Sequence, residues 1–85
     1  MEKEKAKKIL DDISQSVKVM QQHDEYICSS IVKEVHLYKC LRKIAKAMGL
    51  QVSEKPWKCE DAEATEISVV YEGVRFYELE NYMED

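Results

Sequence analysis

The chain has 85 residues, 45% of them hydrophobic and 35% charged, with two glycines, one proline and a formal net charge of −4. That length makes one domain with a modest core, and that composition excludes a linker or a low-complexity tail. The charge is uneven: residues 1–50 hold ten Lys/Arg against seven Asp/Glu, and residues 51–85 hold three against ten. The second part would repel a phosphate backbone or an anionic membrane, so neither nucleic acid nor a membrane is an expected partner. The opening "MEKEKAKKIL" lacks the apolar stretch of a secretory leader, and no apolar run approaches the roughly 20 residues of a membrane span. Cys28, Cys40 and Cys59 show no paired spacing. The expectation is a cytoplasmic protein with reduced thiols.

Between Lys3 and Met48 there is neither Gly nor Pro. Ala6, Leu10, Ile13, Val17 and Met20 recur at four, three, four and three residues, which predicts an amphipathic helix over about 3–22. The polar run "QQHDEY" interrupts this stripe and offers Asp24 as an N-cap. The stripe resumes at Ile27, Ile31, Val35, Tyr38, Leu41, Ala45 and Met48, and Gly49 suits the position after a helix end. The spacing predicts a second helix over about 25–48, packed antiparallel on the first as a helical hairpin. The alternative is one unbroken helix to Gly49, which could hide its stripe only against another chain.

Residues 51–65 are polar and hold Pro56; they predict a short strand near Trp57–Cys59 or a helical turn in "CEDAEA". The runs "EISVVY" and "VRFYEL" then flank Glu72-Gly73, the signature of a β-hairpin with strands over about 66–71 and 74–79. A two-residue turn sets Tyr71 opposite Val74 and Val69 opposite Phe76. One face then carries Ile67, Val69, Tyr71, Val74 and Phe76, and the other Ser68, Val70, Arg75, Tyr77 and Leu79. The first face is apolar enough to be core. The second is mixed, and an isolated hairpin leaves two edges open. The fold class is α+β, and both features lead to the expectation of a homodimer.

Three groups carry candidate chemistry. Lys39, Arg42, Lys43 and Lys46 cluster near the end of the second predicted helix. They read as a solvated face that complements the helix dipole, or as an anion site. In the latter case Trp57, Tyr77 or Arg75 would stack on or clamp a base. His36 and Cys40 would share a helix face, but two ligands do not make a zinc site, and no metal or other cofactor is expected. The tail "ELENYMED" reads as a solubilising end, or as an acidic segment in which Tyr82 and Met83, with Tyr77 and Leu79, meet another protein. No Gly-rich phosphate loop, GxSxG or HExxH is present, and no residue is nominated as catalytic.

The expected function is that of a non-enzymatic interaction module, a small intracellular or phage-type regulator that binds and occludes another protein. Its expected contact residues are Trp57, Arg75, Tyr77 and Tyr82. The different-class alternative is a binder of a small anionic ligand, such as a nucleotide, at a dimer-interface pocket containing Lys39, Arg42 and Lys43.

Overall fold

The computed structural model describes residues 1–23 and 34–84. In chain order these form helix α1 (Lys3–Gln22), strand β1 (Glu34–His36), helix α2 (Leu41–Met48) and strands β2 (Ser53–Cys59), β3 (Ala62–Tyr71) and β4 (Val74–Glu84). The chain is α+β, with a helix-rich N-terminal part and a mixed sheet in the order β1-β4-β3-β2. Strands β2, β3 and β4 are joined antiparallel. The short β1 lies parallel to β4, with Glu34, Val35 and His36 opposite Arg75, Phe76 and Tyr77.

Helix α1 has the predicted bounds. Its stripe buries Ala6, Leu10 and Val17, and its exposed side carries the i,i+4 pairs Lys7–Asp11 at 2.7 Å and Lys8–Asp12 at 2.6 Å.

The second helix is much shorter than predicted, and there is neither a helical hairpin of matched lengths nor an unbroken helix to Gly49. Residues 24–33, with the predicted Asp24 cap, lie outside the described residues. Glu34–His36 is strand, and the helix begins only at Leu41. The apolar spacing at Val35 and Leu37 has a period of two as well as fitting the helical stripe, so that stretch satisfies both templates. Lys39, at φ 51°, is left-handed, a conformation a right-handed helix does not pass through. The helix end is where the sequence puts it. Gly49 has φ 69°, the Gly49 N–H donates to the Lys46 carbonyl at 3.3 Å, and the Leu50 N–H donates to the Ala45 carbonyl at 2.9 Å.

The hairpin register is Tyr71 opposite Val74 and Val69 opposite Phe76, around Glu72 (φ 52°) and Gly73 (φ 77°). Two positive φ angles in a two-residue loop make a turn whose twist matches that of the strands. Both strands run further than predicted, to Ala62 and Glu84, across a bulge between Glu63 and Thr65 with Asn81 at φ 54°. In the preceding segment the strand reading holds and the helical turn does not: "CEDAEA" spans the β2–β3 turn, with Cys59 opposite Ala62. Pro56 falls on the edge strand β2, where a missing N–H is tolerated.

Both helices pack on one side of the sheet. Leu10, Leu41 and Ile44 meet Ile67, Val69, Val74 and Phe76 in a single cluster. Tyr71 ties α1 to the hairpin by donating to Asp11 at 2.5 Å. The result is a thin plate, 40 × 35 × 16 Å between Cα atoms, with a radius of gyration of 14.3 Å. A compact chain of this length would have a radius of gyration of about 12 Å. The difference reflects two layers where a rounder domain has three. Among the described residues, no helix is long and apolar enough to cross a membrane.

Candidate functional site

The side of the sheet away from the helices is bare among the described residues. Residues opposite one another in register share a face. The register therefore gathers Glu34 and His36 of β1, Arg75, Tyr77 and Leu79 of β4, Glu66, Ser68 and Val70 of β3, and Ser53, Lys55 and Trp57 of β2. Its apolar content is conspicuous: Val70 is 69% exposed, and Tyr77, Leu79 and Trp57 are half-buried. His36 stacks on Tyr77, with ring centroids 4.6 Å apart and planes 12° from parallel. Trp57 leans on Tyr82 at 5.9 Å. The Arg75 guanidinium lies 5.4 Å from the centre of the Tyr77 ring.

A row of alternating charge crosses this face through all four strands. Glu34 accepts from Arg75 at 3.2 Å, Arg75 also meets Glu66 at 3.2 Å, and Glu66 meets Lys55 at 3.1 Å. The two central side chains are the more buried, Glu66 being 11% exposed and Arg75 25%. Burial pushes the Glu66 carboxyl up, but Lys55 and Arg75 together outweigh it and hold the group below the ordinary carboxylate range. The row is internally neutral, so Arg75 is not a free clamp for an anion.

The basic cluster lies elsewhere. Lys39, Arg42 and Lys43 line a groove of about 420 Å³, whose other wall is the β4 segment from Glu78 to Asn81. This stretch of β4 runs beyond the end of β1. Arg42 forks onto Glu80, donating from Nε at 2.6 Å and Nη2 at 2.8 Å, and Nη2 also donates to Glu54. That arrangement raises the Arg42 pKa and holds Glu80 below its usual range. Glu78, buried on the helix side, accepts from the backbone N–H of Cys40 at 2.8 Å and of Leu41 at 3.1 Å. Its carboxylate therefore occupies the N-terminus of α2, the place a ligand anion would take. Lys39 projects over the ring of its neighbour Tyr38 at 5.3 Å and Lys43 is exposed. The groove thus has cationic rims around a centre whose Arg and amide donors are already satisfied.

The seven nominated residues fall into two sets. Trp57, Tyr82, Arg75 and Tyr77 share the bare face; Lys39, Arg42 and Lys43 line the groove, which none of the other four lines. Within one chain, Trp57, Tyr77 and Arg75 do not line the groove of the basic cluster. His36 and Cys40 do not share a helix face: His36 is on a strand, and Cys40 immediately precedes α2. The Cys40 thiol is pushed up by burial and by the Glu78 charge. Among the described residues no cluster of three His, Cys, Asp or Glu side chains could hold a metal ion.

Comparison with models of protein families, with curated proteins and with solved structures finds no match. The site is therefore read from its own chemistry.

Sequence reasoning missed the carboxylates. Glu66, Glu78 and Glu80 organise the interior of both faces, yet the last two were assigned to a solubilising or partner-binding tail. The signal was present. Continuing the inward alternation Val74, Phe76 by two steps reaches Glu78 and Glu80, and a carboxylate facing a core demands a dedicated partner.

Proposed function

We propose that the chain is a non-enzymatic protein-interaction module that docks a protein partner on the bare face of its sheet, in the reducing cytoplasm. The single observation that carries the reading is the composition of that face. It joins Val70, Tyr77, Leu79 and Trp57 with a charge row that is already neutral. Aromatic and Arg side chains with little net charge are what the centre of a protein interface favours. In the role of a small regulator, the chain acts by covering its partner. Catalysis needs groups held poised for a substrate, whereas Arg42, Arg75, Glu66, Glu78 and Glu80 are satisfied by one another or by the backbone.

The small-anion reading is weaker on the same grounds. Its strongest donors, Arg42 and the amides that start α2, hold carboxylates of the chain itself.

The test is photo-crosslinking in the host cell from a reactive side chain placed at Val70, with Lys46 of α2 as the control position. The expected result is a discrete protein adduct from position 70 that Tyr77→Ala reduces at least tenfold. Equal, diffuse labelling from both positions would remove the reading.

A further inference from the structure

The reading above leaves the occupant of the bare face unnamed, and the charge row narrows it. The order across the sheet is Glu34, Arg75, Glu66, Lys55: negative, positive, negative, positive. An alternating row with an even number of members has the property that its reversal is its complement. We infer that the occupant is a second copy of this chain, seated face to face. The two-fold axis lies in the plane of the interface, perpendicular to the row. This inference rests on the docking role proposed for the face.

The symmetry follows from the charges. A two-fold perpendicular to the row reverses it, so Glu34 of each copy faces Lys55 of the other and Arg75 faces Glu66. A two-fold along the row lays each charge on its own kind and is repulsive throughout. Each ion pair within a chain is thus crossed by one between chains, and four carboxylates and four cations alternate in two dimensions. The apolar side chains on either side of the row, Val70, Leu79 and Trp57, supply what the charges do not, the removal of apolar surface from water.

Size and shape agree. The four strands, of 3, 7, 10 and 11 residues, cover roughly 500 Å² in projection. A standard stable interface takes about 800 Å² of accessible surface from each partner, which a corrugated face of that projection can supply. The plate is 16 Å thick, and the second copy provides the layer whose absence makes the radius of gyration large for the length. Two sheets meeting at the usual spacing of about 10 Å make a sandwich with helices outermost.

The two ends of the row allow a test that spares the fold, because Glu34 is 62% and Lys55 65% exposed. In Glu34→Lys the substituted end faces Lys55 of its mate; in Lys55→Glu it faces Glu34. Each variant alone therefore opposes like charges at both ends of the row. Mixed one to one, they restore opposite charges at all four positions. Native mass spectrometry and light scattering should find wild type at twice the chain mass of 10.0 kDa. Each variant should weaken the dimer at least tenfold, and the mixture should return as the heterodimer. Val70→Ser, which trims an exposed apolar side chain and adds no charge beside Arg75, should also weaken the wild-type dimer. Circular dichroism confirms that each variant is folded.

A wild type that stays at 10.0 kDa at millimolar concentration overturns the second copy. So does a dimer indifferent to both end reversals, or a mixture that fails to rescue. The photo-crosslink at position 70 then separates the two claims. A monomer that still joins a different protein there leaves the docking role standing with another occupant. A monomer that joins nothing removes both.

Discussion

The two faces of one sheet are built from neighbouring residues and solve opposite problems. On the helix side, Phe76 and Ile67 are fully buried, and the charged groups that intrude have dedicated partners: Glu78 the start of α2, Glu80 the Arg42 guanidinium that also holds Glu54. On the bare side, Tyr77 and Val70 stand where helices would cover them in a three-layer fold, and the charges are matched to one another along a row. These charged groups are satisfied on both sides, and the Ser14 hydroxyl on the buried stripe of α1 is the unpartnered buried polar atom among the described residues. Only the apolar groups differ, and what the bare face lacks is cover for those. An antiparallel sheet can expose one face to water, but such a face usually carries polar side chains on the outer positions. Here those positions hold Val70, Tyr77, Leu79 and Trp57.

The sharpest way to break this comparison uses two adjacent residues. Phe76 and Tyr77 point to opposite faces. Phe76→Ala should cost about 3–5 kcal/mol, because it removes a fully buried ring and leaves a cavity. Tyr77→Ala should cost clearly less in the monomer, about 1 kcal/mol, since the ring is only half-buried and loses its stacking on His36 and its contact with Arg75. Urea unfolding at concentrations low enough to keep the chain monomeric measures both. Equal losses would mean that the second face is as covered as the first.

How much of this was legible follows the same division. The helix over 3–22, the Glu72-Gly73 turn and the membership of the two hairpin faces follow from period, turn chemistry and alternation, which are local. The strand at Glu34–His36 was not found, because it comprises three residues without a Gly or Pro to mark it, inside a stripe with helical spacing. The β-branched run Ile31, Val32 and Val35 before Tyr38 was the available hint. Its pairing with β4 spans about forty residues of sequence, and nothing local specifies so distant a partner. The same holds for the sites. Arg75 and Tyr77 could be assigned to one face by counting. The reach of Arg75 to both Glu34 and Glu66 could not, because it depends on strand order.

Acid sharpens the comparison at intermediate strength. Glu80, held by Arg42, and Glu66, held against its burial by Lys55 and Arg75, both titrate below the usual 4.5 in the folded chain. A carboxylate with a lowered folded-state pKa contributes stability that is fully present above its unfolded value. That contribution is lost as pH falls through the folded value. Stability should therefore be flat from neutral pH to about 5 and fall below the ordinary carboxylate value. Glu80→Gln and Glu66→Gln should each lower stability at neutral pH and flatten that fall, which denaturant titrations at a series of pH values would detect. If the row on the bare face serves association, Glu66→Gln should also weaken the dimer near neutral pH, whereas Glu80→Gln, on the helix side, should not. Identical effects on association would deny the faces their separate roles.

The smallest expected effect is at the turn that joins the two hairpin strands, where both faces share one constraint. Glu72 adopts φ 52° and Gly73 φ 77°, and a Cβ added at Gly73 would meet nothing within 4 Å. The demand for glycine at 73 therefore comes from the backbone alone, while Glu72 occupies a left-handed position with a side chain that does not favour it. Asn tolerates that conformation and is preferred at the first position of such turns. Glu72→Asn should stabilise the chain by about 0.5–1 kcal/mol, in the range of compatible turn substitutions. It also gives up the long contact between Lys18 and Glu72 at 3.8 Å, which is too exposed to offset that gain. Thermal unfolding should show a small upward shift in Tm, with dimer affinity unchanged because the turn lies off the charge row. A lower Tm would mean that Glu72 anchors α1 to the hairpin. An altered affinity would mean that the bare face extends its contacts beyond the end of the strands.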